Sequence, residues 1–287
     1  MTYSPRLAVC SWSLQPTTPE ALVSSVRGCG LDAVQLALDP LREASERGGG
    51  AWALEQTRRV LAEGGISIVS GMIGMVGEDY STLETIRWTG GVRPDRHWQQ
   101  NLHNAHVSAA IAQALGLELV TFHAGFVPHS VEDEEFHVIA HRVAEVADAF
   151  AERGIAVALE TGQEPAEVLP GFLECAQPAM HQTTGSPFLN FDPANMILYG
   201  SGDPVGALRR VAPFVRQVHV KDALPASSPG VWGTEVPAGA GAVDWRLFFR
   251  VLREHCPDAG LVIERESGDR RVQDVRRAVE LVRSHTG

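Results

Sequence analysis

Eight short apolar runs recur along the chain, each ending near a polar residue and separated from the next by an amphipathic stretch of helical length, and this alternation constrains the fold most. The runs are residues 7–10, 33–36, 66–69, 117–122, 155–159, 188–191, 215–220 and 261–263. Helical patterns occupy 19–29, 51–63, 98–115, 131–153, 164–176, 204–211, 245–255 and 272–284. Thr18 before Pro19, Asp203 before Pro204 and Asp244 before Trp245 stand where helix caps belong. Eight strand and helix alternations, with no composition break and no Pro/Ser-rich linker, predict an α/β chain folded as one (β/α)8 barrel over residues 1–287. No strand opens a GxGxxG turn, which argues against a doubly wound dinucleotide-binding sheet. Two connections are unusually long, 71–97 and 223–243, and both follow strands, so both are expected over the catalytic face.

A chain of 287 residues has the length of such a barrel, typically about 250 residues. Its formal net charge of -11 sets a field that repels polyanions, so neither nucleic acid nor an acidic membrane is an expected partner. Cys10, Cys29, Cys175 and Cys256 form no CxxC pair and read as reduced structural thiols. The opening "MTYSPRLAVCSW" has no basic region followed by a long apolar core, and no run approaches the ~18 apolar residues of a membrane span. A cytoplasmic location is expected.

Barrels collect functional groups at the C-terminal ends of their strands. There the fifth run reaches Glu160, the sixth Asp192, the seventh His219 and the eighth Glu264. Taken singly, a strand-end carboxylate more often caps a helix, and a strand histidine more often makes a core hydrogen bond. Four in succession would crowd three carboxylates around one mouth, which is costly without a cation. The set therefore predicts one divalent metal ion, Mn2+ or Mg2+ first, with Zn2+ or Co2+ admitted by the imidazole. Alternation along "FVRQVHVKDAL" puts Gln217, His219 and Lys221 on one face and Val218, Val220 and Asp222 on the other.

The segments "HAG" at His123, "LET" at Glu160, "NFDPAN" at Asp192, "VHVKD" at His219, "GAGAVDW" before Trp245 and "VIERE" at Glu264 together resemble the xylose isomerase-like TIM-barrel superfamily. The resemblance is to its sugar phosphate isomerase/epimerase family, which includes ketose 3-epimerases and hydroxypyruvate isomerase. It implies a metal-dependent sugar isomerase or epimerase acting through a metal-bound enediolate on a ketose, aldose or keto-sugar derivative. Glu160, Asp192, His219 and Glu264 would hold the metal, and Glu160 and Glu264 would also move protons. His123, Asn195 and Lys221, with Trp12 and with Arg87 in the first long loop, are the expected substrate contacts. Asp79, Tyr80 and Trp88 share that loop and are suited to closing over a polyhydroxylated ligand or to a homo-oligomer interface.

The sequence departs from the family pattern at two places. Asn195 stands where these epimerases often carry a histidine, and Pro225 lies where an arginine is expected. An unphosphorylated substrate is favoured, because Arg265 should point away from the face of Glu264. Three alternatives remain at this stage: a metal-dependent lyase or dehydratase on a keto-sugar or polyol acid, a nuclease resembling endonuclease IV, and a barrel that binds sugar without catalysis. The nuclease is disfavoured because Asn195 replaces one required ligand, strand three ends near Ser70, and no Asp-x-His pair follows His219.

Overall fold

The structure is a computed structural model that describes residues 6–177, 187–228 and 230–286. The expected span of 1–287, the amino-terminal stretch and the 223–243 loop each extend in part outside those residues. In chain order the elements are β1 (Leu7–Cys10), α1 (Pro19–Gly28), β2 (Ala33–Ala37), α2 (Asp39–Glu46), α3 (Leu54–Glu63), β3 (Ser67–Met72), α4 (Leu83–Thr89), α5 (Asp95–Ala114) and β4 (Leu119–Phe122). There follow α6 (Glu134–Ala151), β5 (Ala156–Glu160), α7 (Leu169–Cys175), β6 (Phe188–Phe191), α8 (Pro193–Tyr199), α9 (Pro204–Val211) and β7 (Val215–Val220). The last are β8 (Asp222–Leu224), β9 (Thr234–Val236), α10 (Trp245–His255), β10 (Gly260–Ile263) and α11 (Arg271–Thr286).

Eight strands close into an α/β TIM barrel in the order β1-β10-β7-β6-β5-β4-β3-β2, and every neighbouring pair is parallel. Parallel strands need crossovers, and the helices that supply them cover the outer face of the barrel. Thr18, Asp203 and Asp244 cap α1, α9 and α10 through side-chain oxygens that accept backbone N–H groups, as their positions predict. Phe122, Phe150, Phe172, Phe191, Phe248 and Phe249 are among the largest fully buried side chains of the core.

Several elements escape the periodicity. Helix α2 begins directly after β2 and has too few residues to show a clear apolar stripe, and α8 follows Asp192 in the same way. The long 71–97 connection is not open loop. Strand β3 runs on to Met72, α4 lies within the connection under a Thr82/Thr85 capping box, and α5 begins at Asp95. The second long connection carries a short antiparallel hairpin, β8 with β9, that stands outside the barrel. Among the described residues no helix is long and apolar enough to cross a membrane.

The barrel interior is polar beneath its mouth. Ser70 of β3 donates to Gln217 of β7 at 2.7 Å, Gln217 donates to Asn190 of β6 at 3.2 Å, and Gln35 of β2 donates to Thr121 of β4 at 2.8 Å. All five are buried. Bonds between strands that are not neighbours require these side chains to point inward, so the alternation read for β7 holds: Gln217 and His219 face in, while Val218 and Val220 face the helices.

Candidate metal centre

Glu160 ends β5, Asp192 follows β6 as the N-cap of α8, His219 is the penultimate residue of β7, and Glu264 follows β10. Register brings them level. Glu160 pairs with Asn190, His219 pairs with Val262, and the Glu264 N–H donates to the Val220 carbonyl at 3.2 Å. One ligand-type atom from each of the four lies within 4.8 Å of the others. His219 Nδ1 is 3.3 Å from Glu264 Oε2, 3.6 Å from Glu160 Oε1 and 3.8 Å from Asp192 Oδ2.

Each side chain is held from behind. Asp192 Oδ1 accepts the N–H groups of Ala194 and Asn195 at 2.7 and 2.9 Å, which spends one oxygen on the helix cap and aims the other inward. Glu160 Oε1 accepts from Asn195 Nδ2 at 2.9 Å. Gly162, at φ +136°, lets the chain pass against Asn195, where a Cβ would sit 2.1 Å from the Asn195 Cβ. Trp12 Nε1 donates to Glu264 Oε1 at 2.7 Å. His219 Nε2 meets Gln35 Oε1 at 2.8 Å.

What these contacts leave over is the test of fit for a cation. Glu160 Oε2, Asp192 Oδ2 and His219 Nδ1 are buried and have no hydrogen-bond partner among the described residues. Buried polar atoms are rarely left unpaired, and three within one such cluster are what a bound cation would satisfy. Three carboxylate oxygens and one imidazole nitrogen suit a hard or borderline divalent ion. A second, softer triad of Cys10, His219 and Glu264 also comes within 4.8 Å, but Cys10 lies against the other ring nitrogen of His219, at 3.7 Å from Nε2.

The electrostatics are those of crowded charges taken out of water. Burial alone would raise the Glu264 carboxyl, but the Lys221 ammonium and the His219 ring outweigh it and hold it at about 2. Burial likewise opposes ionisation of Glu160, and His123 with His219 keeps it well below the usual range. For Asp192 burial prevails and the carboxyl is raised, despite Lys221. Burial works against a charged His123, yet Glu160, 3.4 Å away, lifts the imidazole to about 9.

The centre opens into a cavity of about 560 Å³ lined by Trp12, His123, Glu160, Asn195, Lys221 and Glu264 together with residues of the long connections. The structure thus brings together every expected site residue but Arg87. Arg87 is exposed, with its guanidinium 5.8 Å from the Phe126 ring, and it does not line the cavity. Of its loop companions Tyr80 lines the cavity, whereas Asp79 closes a turn at Ser81 and Trp88 lies beneath Arg93. Lys221 Nζ contacts Glu264 Oε2 at 2.8 Å and Glu266 Oε2 at 2.5 Å. Asp222 turns away from the mouth. Its carboxylate accepts from the backbone of Ala223, Gly239, Gly241 and Val243 and from Trp245 Nε1, so it fastens the hairpin connection and does not tune the cavity.

Sequence reasoning missed Gln35, Glu78, Trp232 and Glu266. Gln35 is a polar residue inside the run "AVQLA", and Glu266 lies two residues beyond Glu264; both signals were present in the sequence. Glu78 and Trp232 reach the cavity from irregular loops, where spacing carries no direction.

A family model described as xylose isomerase-like TIM barrel matches residues 23–285. A xylose isomerase domain protein from Planctomyces limnophilus is similar in structure, with a TM-score of 0.85, 28% identity, and coverage of 99% of this chain and 97% of that one. A D-allulose 3-epimerase from Methylomonas sp., solved with D-allulose, gives a TM-score of 0.70 at 14% identity over 99% of both chains. A xylose isomerase-like TIM barrel protein from Mycobacterium smegmatis, in complex with magnesium, gives 0.69 at 16% identity over 99% of this chain and 98% of that one. No curated protein matches the sequence.

Proposed function

The chain belongs to the xylose isomerase-like TIM-barrel family, and on that premise we propose that it is a divalent-metal-dependent isomerase or epimerase of a carbohydrate with a carbonyl beside a hydroxyl-bearing carbon. The observation that carries this reading is the buried cluster of Glu160, Asp192, His219 and Glu264, with ligand-type atoms within 4.8 Å of one another and with Glu160 Oε2, Asp192 Oδ2 and His219 Nδ1 unpartnered among the described residues, beside a cavity that Glu160 and Glu264 line. Glu160, Asp192, His219 and Glu264 would hold the ion. When bound, a divalent ion would act as a Lewis acid on a substrate carbonyl and so make the adjacent C–H easier to deprotonate.

The chain's own groups account for the remaining steps. Glu160 and Glu264 stand at the two ends of the arc β5, β6, β7 and β10, so a substrate between them meets one carboxylate from each side. Both are held ionised, as a base must be. Each also has a cationic neighbour, His123 beside Glu160 and Lys221 beside Glu264, that stabilises the carboxylate before and after proton transfer. Removal of a proton on one side, with delivery on the other by a carboxylate that has first taken a proton from solvent, inverts the carbon. Delivery to the neighbouring carbon interconverts aldose and ketose. Trp12, Asn195 and Lys221 line the floor, where Trp12 Nε1 and Lys221 Nζ donate to Glu264 and Asn195 Nδ2 donates to Glu160, so they orient the two carboxylates beneath the substrate.

Isotope exchange tests the reading. Metal-loaded protein turning over a ketose or aldose in D2O is expected to place deuterium on the carbon beside the carbonyl at the pace of turnover. Product formed with no solvent deuterium at any carbon overturns the two-carboxylate route, and an unsaturated product assigns elimination instead.

A further inference from the structure

We infer that the substrate is an uncharged carbohydrate bearing an apolar substituent, its hydroxyl-rich end on the metal floor and its substituent between the β3 wall and Trp232. The inference rests on the carbohydrate reading of the site and extends it to the substrate class.

Charge is the first argument. Five carboxylates line the cavity, Glu78, Glu160, Glu235, Glu264 and Glu266, against Lys221 and His123 as cations. Neither cation is free. Lys221 lies between Glu264 and Glu266, and His123 lies against Glu160. Arg265, the nearest arginine in sequence, is tied to Glu235 at 2.8 Å and Asp274 at 3.0 Å and stays behind the wall. Backbone donors are committed as well: the first N–H groups of α8 go to Asp192, the Gly74 N–H goes to Asp39 and the Gly91 N–H goes to Glu78. Away from the metal floor, a phosphate or carboxylate group in the cavity would lose its water and meet no unpaired cationic side chain among the described residues.

The second argument is the composition of the walls. Met72, Ile73 and Met75 rise from the end of β3, on the side of the barrel away from the metal-ligand arc, while Leu198 and Trp232 come from α8 and the hairpin connection. Trp232 packs edge-on against Tyr199 with centroids 5.0 Å apart, which fixes its ring at the rim. Aromatic faces alone would suit the C–H face of a sugar. Thioether and branched aliphatic side chains offer no donor and at most a weak sulfur acceptor, which in Met72 already takes the Thr121 hydroxyl, so sugar hydroxyls pressed against them would be dehydrated without replacement. A group without hydroxyls gains from the same contact. A volume of about 560 Å³ falls in the range that holds ligands larger than a single monosaccharide.

Calorimetry on Mn2+-loaded protein tests the assignment with matched methyl and phenyl β-glycosides of glucose, galactose and xylose, and with the phosphate ester of glucose. The phenyl member of at least one pair is expected to bind about tenfold tighter than its methyl partner. Trp232→Ala should abolish that ratio while leaving the methyl glycoside and Mn2+ affinities unchanged, a pattern that a general loss of structure would not produce. The inference is overturned if the phosphate ester binds best, or if no phenyl glycoside outperforms its partner, including the case in which none binds. Deuterium uptake separates this failure from failure of the functional reading, because exchange into an unsubstituted ketose as efficient as into the matching phenyl glycoside oxidised to a ring ketone would keep the isomerase and discard the apolar substituent.

Discussion

Gln35 and His219 share one hydrogen bond, 2.8 Å from Oε1 to Nε2, and it determines which ring nitrogen faces the metal centre. The Gln35 amide is oriented by the Gly71 carbonyl, which can only accept, and by Thr121, whose hydroxyl donates onward to the Met72 sulfur. Its oxygen therefore faces the ring, His219 Nε2 carries the proton, and Nδ1 presents a lone pair. Asn190 Nδ2 contends for the same nitrogen at 3.0 Å, but its chain ends on the rotatable hydroxyl of Ser70, so it can flip and accept. Gln35→Leu is expected to weaken metal binding by about 10- to 100-fold in a calorimetric titration and to move the His219 nitrogen resonances toward the other tautomer. Unchanged affinity would refute the assignment.

The metal should also act as a stabiliser. An ion held by ligands from four strand ends would favour the folded chain alone, so an excess of about 100 times the dissociation constant would add about 2.7 kcal/mol of stability. Thermal melts are expected to rise with Mn2+ for the wild type and not for Asp192→Asn or His219→Ala. Burial disfavours a charged His219, yet Glu264 and its other anionic neighbours raise its pKa well above the ordinary value, so the ion must displace a proton. Apparent affinity should therefore fall as pH falls.

Lys221 offsets negative charge on the substrate side of the ligands. Lys221→Met leaves Glu264 and Glu266 facing each other without their shared cation, so the Glu264 carboxyl should rise from its depressed value. The acid limb of the kcat/KM profile is expected to move to higher pH and KM to increase, with metal content retained. Loss of metal with an unchanged profile would instead make Lys221 a support for the ion.

Glu164 is 5% exposed, and burial raises its carboxyl to about 8 despite the nearby His123. The folded chain keeps a proton that the unfolded chain has released, so stability falls as pH rises from the unfolded carboxyl value of 4.5 to about 8 and is level above that. Glu164→Gln should flatten this slope and raise Tm at pH 8 by about 2 °C or more, with little change at pH 4. Melts across that range provide the measurement.

The barrel and the clustering of Glu160, Asp192, His219 and Glu264 at its mouth were legible because both depend on alternation. Strand parity separated Lys221 from Asp222 before any contact was known, and the structure sends the first to Glu264 and the second to Trp245. Gln35 went unread, because one glutamine in an apolar run does not announce a partner on the far side of a barrel. Arg87 shows where the method stops. A charged residue in a long loop has no face until the loop folds, and α4 turns this one onto Phe126 and out of the cavity. Glu78 is the converse, a loop carboxylate delivered to the site by the Gly91 N–H.

The Asp222 carboxylate grips both ends of the connection that carries Trp232 and Glu235, holding Ala223 at one end and Gly239, Gly241 and Val243 at the other. At Gly241 a Cβ would sit 2.1 Å from Asp222 Oδ1, so only glycine closes the clasp. Among the described residues between the two ends none belongs to the four-residue cluster, and Glu235 ties the segment to the backbone of Glu266 and Ser267. Such a segment behaves as an exchangeable cassette. Its length and sequence can drift through evolution, or be replaced by a designer, and each version would remould the substrate wall over an unaltered chemical centre. Descendants of one ancestral barrel could acquire new specificities in this way without passing through an inactive intermediate.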